Sequence, residues 1–558
     1  MKKVMQAWDK AKELVKQGYK ILNKEVTMGI PGPCFPAISP DMDRGIGSPY
    51  DKGAAAFENF WDGVVDKILL GPSGRTFPPF FSPYESALSE NPFFIPLEKW
   101  TLADKGVLLS KKTLEDIWNT PKNDTDISFP LVSRLYHKAL REMWEKFQQL
   151  KIQKNIFAIG LQKQIDDFTR AHPILQLEAK YHAPFDNARY FFESYLAYDA
   201  ALNAPKKIPT IGDLQVKIPD AIALERPDLF LKNFTLGSPP DAYSDKNQDW
   251  YFKTFDPKHI FNSDGSLGEA GKIMYHIFDT LCKVHKGGIR IDHFIGFVNP
   301  FVIPRKNGLK EGRLYSSENN KELKKYCKKS ISQFADITQK IIIKALSDNN
   351  MTVNDLYPED LGNRPEQLDP VLDLCGLGRM IVTQFVDIND ENHAYLLHKT
   401  KPQDIATLDT HDLPSVQGYF NNMDWENRVK HAVSMSKNLR FYYTDALAEP
   451  KALYRMKWAE LFACPARRVQ AFFTSFTGQD GRYNNPENPK KWRLRCSCDF
   501  EALYFKNLVK GQAFNPLDAL SLAIFAKGDN FYYANKELVD QMRFQEEVLL
   551  NSIKEIYF

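Results

Sequence analysis

The chain has 558 residues, 43% hydrophobic and 26% charged, close to the ordinary soluble balance, which excludes disordered, collagen-like and coiled-coil classes. Against 73 Lys and Arg stand 70 Asp and Glu, and a net charge of +3 over this length is too small for a surface built on nucleic-acid phosphates or anionic lipid. The 7 cysteines are an odd and scattered set, the pattern of reduced thiols, and no His completes a zinc spacing around Cys496 and Cys498.

Near the N-terminus Val4, Trp8, Ala11, Val15, Tyr19 and Leu22 recur at three- and four-residue intervals, so residues 1–28 are predicted as an amphipathic helix. The segment lacks the roughly 7–15 residue apolar run of a signal peptide, and no stretch approaches the roughly 18 apolar residues of a membrane span. The expectation is a cytoplasmic protein with no membrane and no nucleic acid as partner.

Residues 29 to 100 hold PGPCFP, GIGSPY and LLGPSGRTFPPFFSPY, where Pro and Gly mark turns, and the region reads as loop-rich. GPSGRT lacks the P-loop lysine and its spacing, which removes a nucleotide-binding reading. Residues 101–205 carry helical periodicity with few breakers and are predicted as a helical insert. From residue 208 the texture changes to short apolar runs ending in polar residues: IGDLQVKI, GGIRIDHF, LYPEDLG, RMIVTQF and DIATLDTHD. Such runs separated by helical stretches predict a parallel sheet with helices outside it. Carboxylates close several of these runs, at intervals near multiples of the roughly 30 residues of a strand–helix unit, as a (β/α)8 active site requires. The predicted architecture is α/β: a (β/α)8 TIM barrel over 29–558 with the helical insert, a substrate-lid loop over 220–260 and no separate C-terminal β-domain. The tail around SLAIFAKGDNFYYAN is expected to close the barrel.

Three strings carry the chemistry. In GGIRIDHFIGF, Arg290 and Asp292 are two apart and project from one face of a strand, where a fixed guanidinium favours the charged carboxylate that a nucleophile needs. In LYPEDLG, Glu359 ends an apolar run; beside a charged Asp292 and buried, it would stay protonated near neutrality and serve as an acid. Retaining glycosidases use such a pair, about 5–5.5 Å apart. In DTHDLPSVQGYF, His411 and Asp412 follow the run IATL, and a third carboxylate gripping sugar hydroxyls in a distorted state would add several kcal/mol. Taken alone, each string also reads as structure: an ion pair, a turn, a helix cap.

Together and in this order, RIDHF-GF, EDLG and THD resemble the amylomaltase family of 4-α-glucanotransferases, within the α-amylase superfamily. The resemblance runs from about residue 29 to about 500. It includes GDL at 212 to 214, LGPSG followed by SPYES, GSPPDAYSDKNQDW, which is similar to the family's mobile loop, and TGQDGRYNNPENPKKWRLR with Arg482, Asn484 and Trp492. It implies Asp292 as nucleophile, Glu359 as acid/base and Asp412 as transition-state stabiliser. It also implies Tyr84, Asp213, Tyr243, Trp250, Arg290, His293 and His411 around the sugar path, with Asp241 beside it. The implied partners are α-1,4-glucans, the implied reaction is transfer of glucan segments, and neither metal nor cofactor is required. A glucan hydrolase and a catalytically silent glucan-binding protein are the alternatives. The chain departs from the family pattern at QVKIPDAIALERP after GDL, at Tyr251-Phe252-Lys253 after QDW, at Glu85 where Gln is usual, and at THDLP in place of THDN.

Overall fold

The first helix, Lys2–Leu22, buries one stripe of Val4, Ala7, Trp8, Ala11, Val15, Tyr19 and Leu22. Asn23, at φ 53°, ends it in the left-handed conformation that Asn tolerates, and the chain turns at once into a strand at Glu25. Residues 1–28 are therefore not helix alone, since they supply the first strand of the barrel.

The computed structural model describes residues 1–79, 81–84, 86, 90–240, 246–305, 312–314, 331–362, 364–484 and 492–558. Its strands are β1 (Glu25–Gly29), β2 (Lys67–Leu69), β3 (Thr210–Leu214), β4 (Phe234–Ser238), β5 (Gln248–Phe252), β6 (Gly288–Ile291), β7 (Phe301–Pro304), β8 (Arg313–Leu314), β9 (Leu356–Pro358), β10 (Met380–Val382), β11 (Ile405–Thr407) and β12 (Arg468–Phe472). Eight of them form one parallel sheet in the order β10-β11-β12-β1-β2-β3-β6-β9, the (β/α)8 barrel that the sequence predicts. The ladder between β1 and β12 joins the first and last strands, and β9 and β10 are the sheet's two edges. A side chain bridges those edges: buried Asp360 accepts the Met380 N–H at 2.8 Å and pairs with Arg364 and Arg379 at 3.0 and 3.3 Å.

Inside the barrel Leu69, Ile211, Tyr357 and Ile405 form an apolar layer. Beneath it Lys67 pairs with Glu25 and Asp355 at 3.2 and 2.9 Å. Arg468 lies over the Tyr357 ring and donates to the carbonyls of Asn354, Leu356 and Gln403. The floor at the strands' N-terminal end is thus filled, which leaves the opposite end for a site.

Between β2 and β3 run helices Lys111–Trp118, Phe129–Ile152, Ile156–Ala171, Pro173–His182 and Asn187–Asn203. Trp100, Tyr136, Phe147 and Phe192 belong to an apolar core there. The segment 220–260, expected as a loop, carries the short helix Asp220–Glu225 and the strands β4 and β5, half of an antiparallel sheet in the order β5-β4-β7-β8. Among the described residues after β12 the named elements are helices, ending in Lys536–Tyr557, whose Gln545 donates to the Ala7 carbonyl at 2.8 Å and so ties this last helix to the first. Among the described residues no helix is long and apolar enough to cross a membrane.

Candidate active site

Strand register builds the site. Asp213 in β3 and Arg290 in β6 are direct ladder partners, so their side chains stand side by side at the strands' carboxyl ends. Gly288 opens β6 at φ 127°, and a Cβ there would lie 2.2 Å from the Asp355 carbonyl, so only glycine lets β6 come this close to its neighbour. Past the strand ends the main chain stays stitched: Asp292 N–H donates to the Leu214 carbonyl at 2.8 Å and Glu359 N–H to that of Ile291 at 2.9 Å. Two carboxylates from neighbouring strands are thereby fixed at one level.

The Arg290 guanidinium is shared. One nitrogen donates to both oxygens of Asp213 at 2.8 Å, and the other to Asp292 at 2.9 Å. Asp213 has no exposed side-chain surface, whereas Asp292 is 32% exposed. Asp213 therefore sits behind the cation and holds it, and Asp292 meets the solvent side. His293 follows at φ 50°, uncommon for a residue with a side chain, and its N–H donates to Glu359 at 2.7 Å. Leu361 N–H donates to the other Glu359 oxygen at 2.9 Å.

Burial first, and then the charge of Asp292, push the Glu359 carboxyl from its ordinary 4.5 up to about 8, against the pull of Arg290 and the two N–H donors. Glu359 is a neutral acid at pH 7. Burial also raises Asp213, although Arg290 opposes it.

Asp412 arrives from the loop after β11. Its carboxylate lies 3.3 Å from His411 Nε2 and accepts from the Asn484 side chain, while Asn484 N–H donates to the His411 carbonyl at 2.9 Å. Trp250, on β5, sets its ring edge-on to His293 at 4.7 Å. Asp292, Glu359, Asp412, Arg290, His293 and Trp250 all line one cleft of about 580 Å³.

Tyr84 and Asp213 line a small adjoining cavity with Gln215, which faces both spaces. Burial and the carboxylates of Asp292, Asp213 and Asp412 push the Tyr84 phenol well above its ordinary value, with Arg290 opposing. Its ring meets Trp492 at 6.0 Å, and Trp492 in turn meets His411 at 6.3 Å. Tyr243, Asp241 and Glu85 lie outside the described residues. Gln215, whose amide donates to the Tyr84 carbonyl, was not foreseen as a site residue; the sequence marked it only as the first departure after GDL. Phe252, likewise flagged only as a departure, lines the cleft wall beside Trp250. Among the described residues no cluster of three or more His, Cys, Asp or Glu is placed to hold a metal ion.

A parallel (β/α)8 barrel with two adjoining strand-end carboxyl groups, one kept neutral and one paired with arginine, defines a barrel enzyme of the glycoside-processing kind. Comparison narrows this. Residues 175–499 match the model of the family described as 4-alpha-glucanotransferase, and the chain belongs to that family. A 4-alpha-glucanotransferase of Clostridium butyricum is 24% identical over 460 residues, 74% of this chain and 85% of its own length. Another from Haemophilus influenzae is 23% identical over 252 residues, 44% of this chain, and the match spans 32% of that relative's length. Among solved structures, the amylomaltase of Streptococcus agalactiae in complex with acarbose superposes with a TM-score of 0.66 at 17% identity, covering 88% of this chain and 100% of its own. That of Corynebacterium glutamicum gives 0.60 at 18% identity, covering 94% and 76%. These two likenesses concern the fold.

Proposed function

We propose that the protein transfers α-1,4-glucan segments between maltooligosaccharides or longer glucans by a retaining double displacement. The observation that carries this reading is the pair at the cleft floor: Glu359, held protonated to about 8, beside the half-open, arginine-paired Asp292. In the first step Asp292 attacks the anomeric carbon while Glu359 gives its proton to the departing glycosidic oxygen. The new ester removes the charge from Asp292, so the second-largest cause of the raised Glu359 value disappears, and Glu359 stays ionised and free to accept a proton. It then takes the proton of the incoming 4-hydroxyl, and the ester bond breaks as the new α-1,4 bond forms. Asp412 and His411 grip sugar hydroxyls as the ring flattens, and Arg290 carries the changing charge of Asp292. Trp250 and Phe252 wall the cleft against water, which favours a glucan acceptor.

Family membership supports the substrate class, and the acarbose held by the Streptococcus neighbour supports an oligosaccharide in the cleft. With maltotriose as the sole substrate, the account predicts a ladder of longer oligomers with glucose released in step. Shorter sugars alone would make the protein a hydrolase, and an unchanged substrate would remove the enzymatic reading.

A further inference from the structure

The loop that carries His411 and Asp412 runs over residues 410–415, and both of its ends are tied to one buried pair of side chains. At the entry Asp409, 1% exposed, accepts the Phe472 N–H at 2.7 Å through one carboxylate oxygen and the Ser475 hydroxyl at 2.5 Å through the other. At the exit the Ser475 oxygen accepts the Val416 N–H at 2.8 Å. One hydrogen joins Asp409 to Ser475 in either state, given by the hydroxyl when Asp409 is ionised and by the acid when burial keeps Asp409 neutral, up to about 7, while Val416 N–H takes a lone pair of the Ser475 oxygen. Phe472 is the last residue of β12 and Ser475 lies in the short helix Phe473–Thr477, so the neighbouring strand end carries the anchor. The anchor is itself held, because the Ser475 carbonyl accepts from Tyr454 at 2.9 Å and the Asp409 carbonyl from Thr407 at 2.7 Å.

We propose that Asp409, through Ser475, is a positioning residue for Asp412: the pair fixes both ends of a six-residue loop and so sets where the Asp412 carboxylate stands over the cleft, without touching substrate. The proposal rests on the reading of Asp412 as a transition-state stabiliser. Asp412 is 32% exposed, and its other holds, the Thr410 hydroxyl to its N–H at 3.2 Å and the Asn484 amide, lie in or against the same loop. The Gln384 amide, donating to the Pro414 carbonyl at 2.9 Å, steadies the loop near its exit from the β10 side, whereas Asp409 and Ser475 hold its entry and its exit together. A displacement of about 1 Å at a catalytic group costs about 10²-fold.

The test compares full-length Asp409→Ala, Asp409→Asn, Ser475→Ala and Asp412→Asn, each assayed well below its own melting temperature. With maltotriose, Asp409→Ala should lower kcat about 10²-fold and leave KM within about threefold. Ser475→Ala should lower kcat about tenfold, and Asp409→Asn, which keeps an acceptor for Phe472, should recover most of the loss. With an α-maltosyl fluoride donor, whose fluoride release reads the residual rates, Asp409→Ala in the Asp412→Asn background should cost less than about threefold more, because its effect runs through Asp412. An equal loss in both backgrounds, a raised KM with unchanged kcat, or a parental Asp409→Ala beside a crippled Asp412→Asn overturns this proposal alone. Parental activity in Asp412→Asn overturns the reading of Asp412 and this proposal with it. Should Asp409→Ala fail to fold, Ser475→Ala decides: parental kcat there overturns the proposal.

Discussion

Replacing Glu359 by Gln isolates the acid/base step. Keeping this carboxyl neutral up to about 8 instead of its ordinary 4.5 corresponds to at most about 5 kcal/mol against the charged form, imposed by burial and by Asp292. Gln keeps the shape and the neutral charge of the protonated acid, and its oxygen can still accept from His293 or Leu361, so binding should survive. It has no proton to give. With maltotriose, whose leaving sugar needs that proton, kcat should fall about 10²–10⁴-fold. With α-maltosyl fluoride, whose leaving group needs no proton, the first step should fall less than about tenfold. In the parent enzyme kcat/KM for maltotriose should decline above about pH 8, where Glu359 ionises, and this limb should be absent from the variant's fluoride-release profile. The assay is stopped-flow fluoride release beside discontinuous glucose release over pH 5.5–9.5. Equal losses on both donors, or a parental limb that stays flat to pH 9.5, would refute the assignment.

Removing the charge of Asp292 with Asn should lower transfer by about 10⁴-fold or more, about 5.5 kcal/mol of barrier, measured as glucose release from maltotriose. Arg290→Met strands the fully buried Asp213 without its cation and should cost about 3–5 kcal/mol in urea unfolding; adding Asp213→Asn should restore much of it. Trp250→Ala opens the cleft wall and removes the contact with His293, so KM should rise about fivefold to tenfold and the share of free sugar made by hydrolysis should grow. Burial holds Glu90 and Asp409 protonated to about 7 and Glu359 to about 8, all above their unfolded values. Between its ordinary 4.5 and about 8, Glu359 binds a proton in the native state that the unfolded chain has released, so its share of stability falls as pH rises toward 8. The buried histidines His182, His276 and His431, lowered to about 4, and Lys24 and Lys206, lowered to about 8, act in the opposite sense on the whole protein, so the measurement is a difference. The melting temperature of the parent relative to Glu359→Gln should fall from pH 6.5 to 8, and a constant or rising difference would contradict the raised Glu359 value.

Five barrel strands were legible because each is a short apolar run buried on both faces and closed by a polar residue: β3, β6, β9, β10 and β11. The missed ones have physical reasons. KIL is a three-residue strand between a helix and a Pro-Gly turn, EVTMG follows a helix after two residues, and RVQAF places a charge and an amide inside a strand because Arg468 serves the polar barrel floor. The second sheet was invisible locally, since β4 finds its partner in β7, far along the chain, and β5 is a half-exposed strand. At the site, Asp292, Glu359 and Asp412 were legible as strand-end carboxylates, and the amylomaltase resemblance supplied their roles. That Arg290 divides itself between Asp213 and Asp292 depends on the β3–β6 register, which no local pattern encodes. The same holds for Asn484 on Asp412 and Ser475 on Asp409, contacts made across the barrel rim.

The most direct measurement of the central claim is a trapped glycosyl-enzyme. Incubating Glu359→Gln with α-maltosyl fluoride should form the ester but leave it without the base that resolves it. Digestion and peptide mass spectrometry should then find one maltosyl adduct, on the peptide containing Asp292, and none in Asp292→Asn. Fluoride release without an adduct, or an adduct on any other carboxylate, would contradict the account.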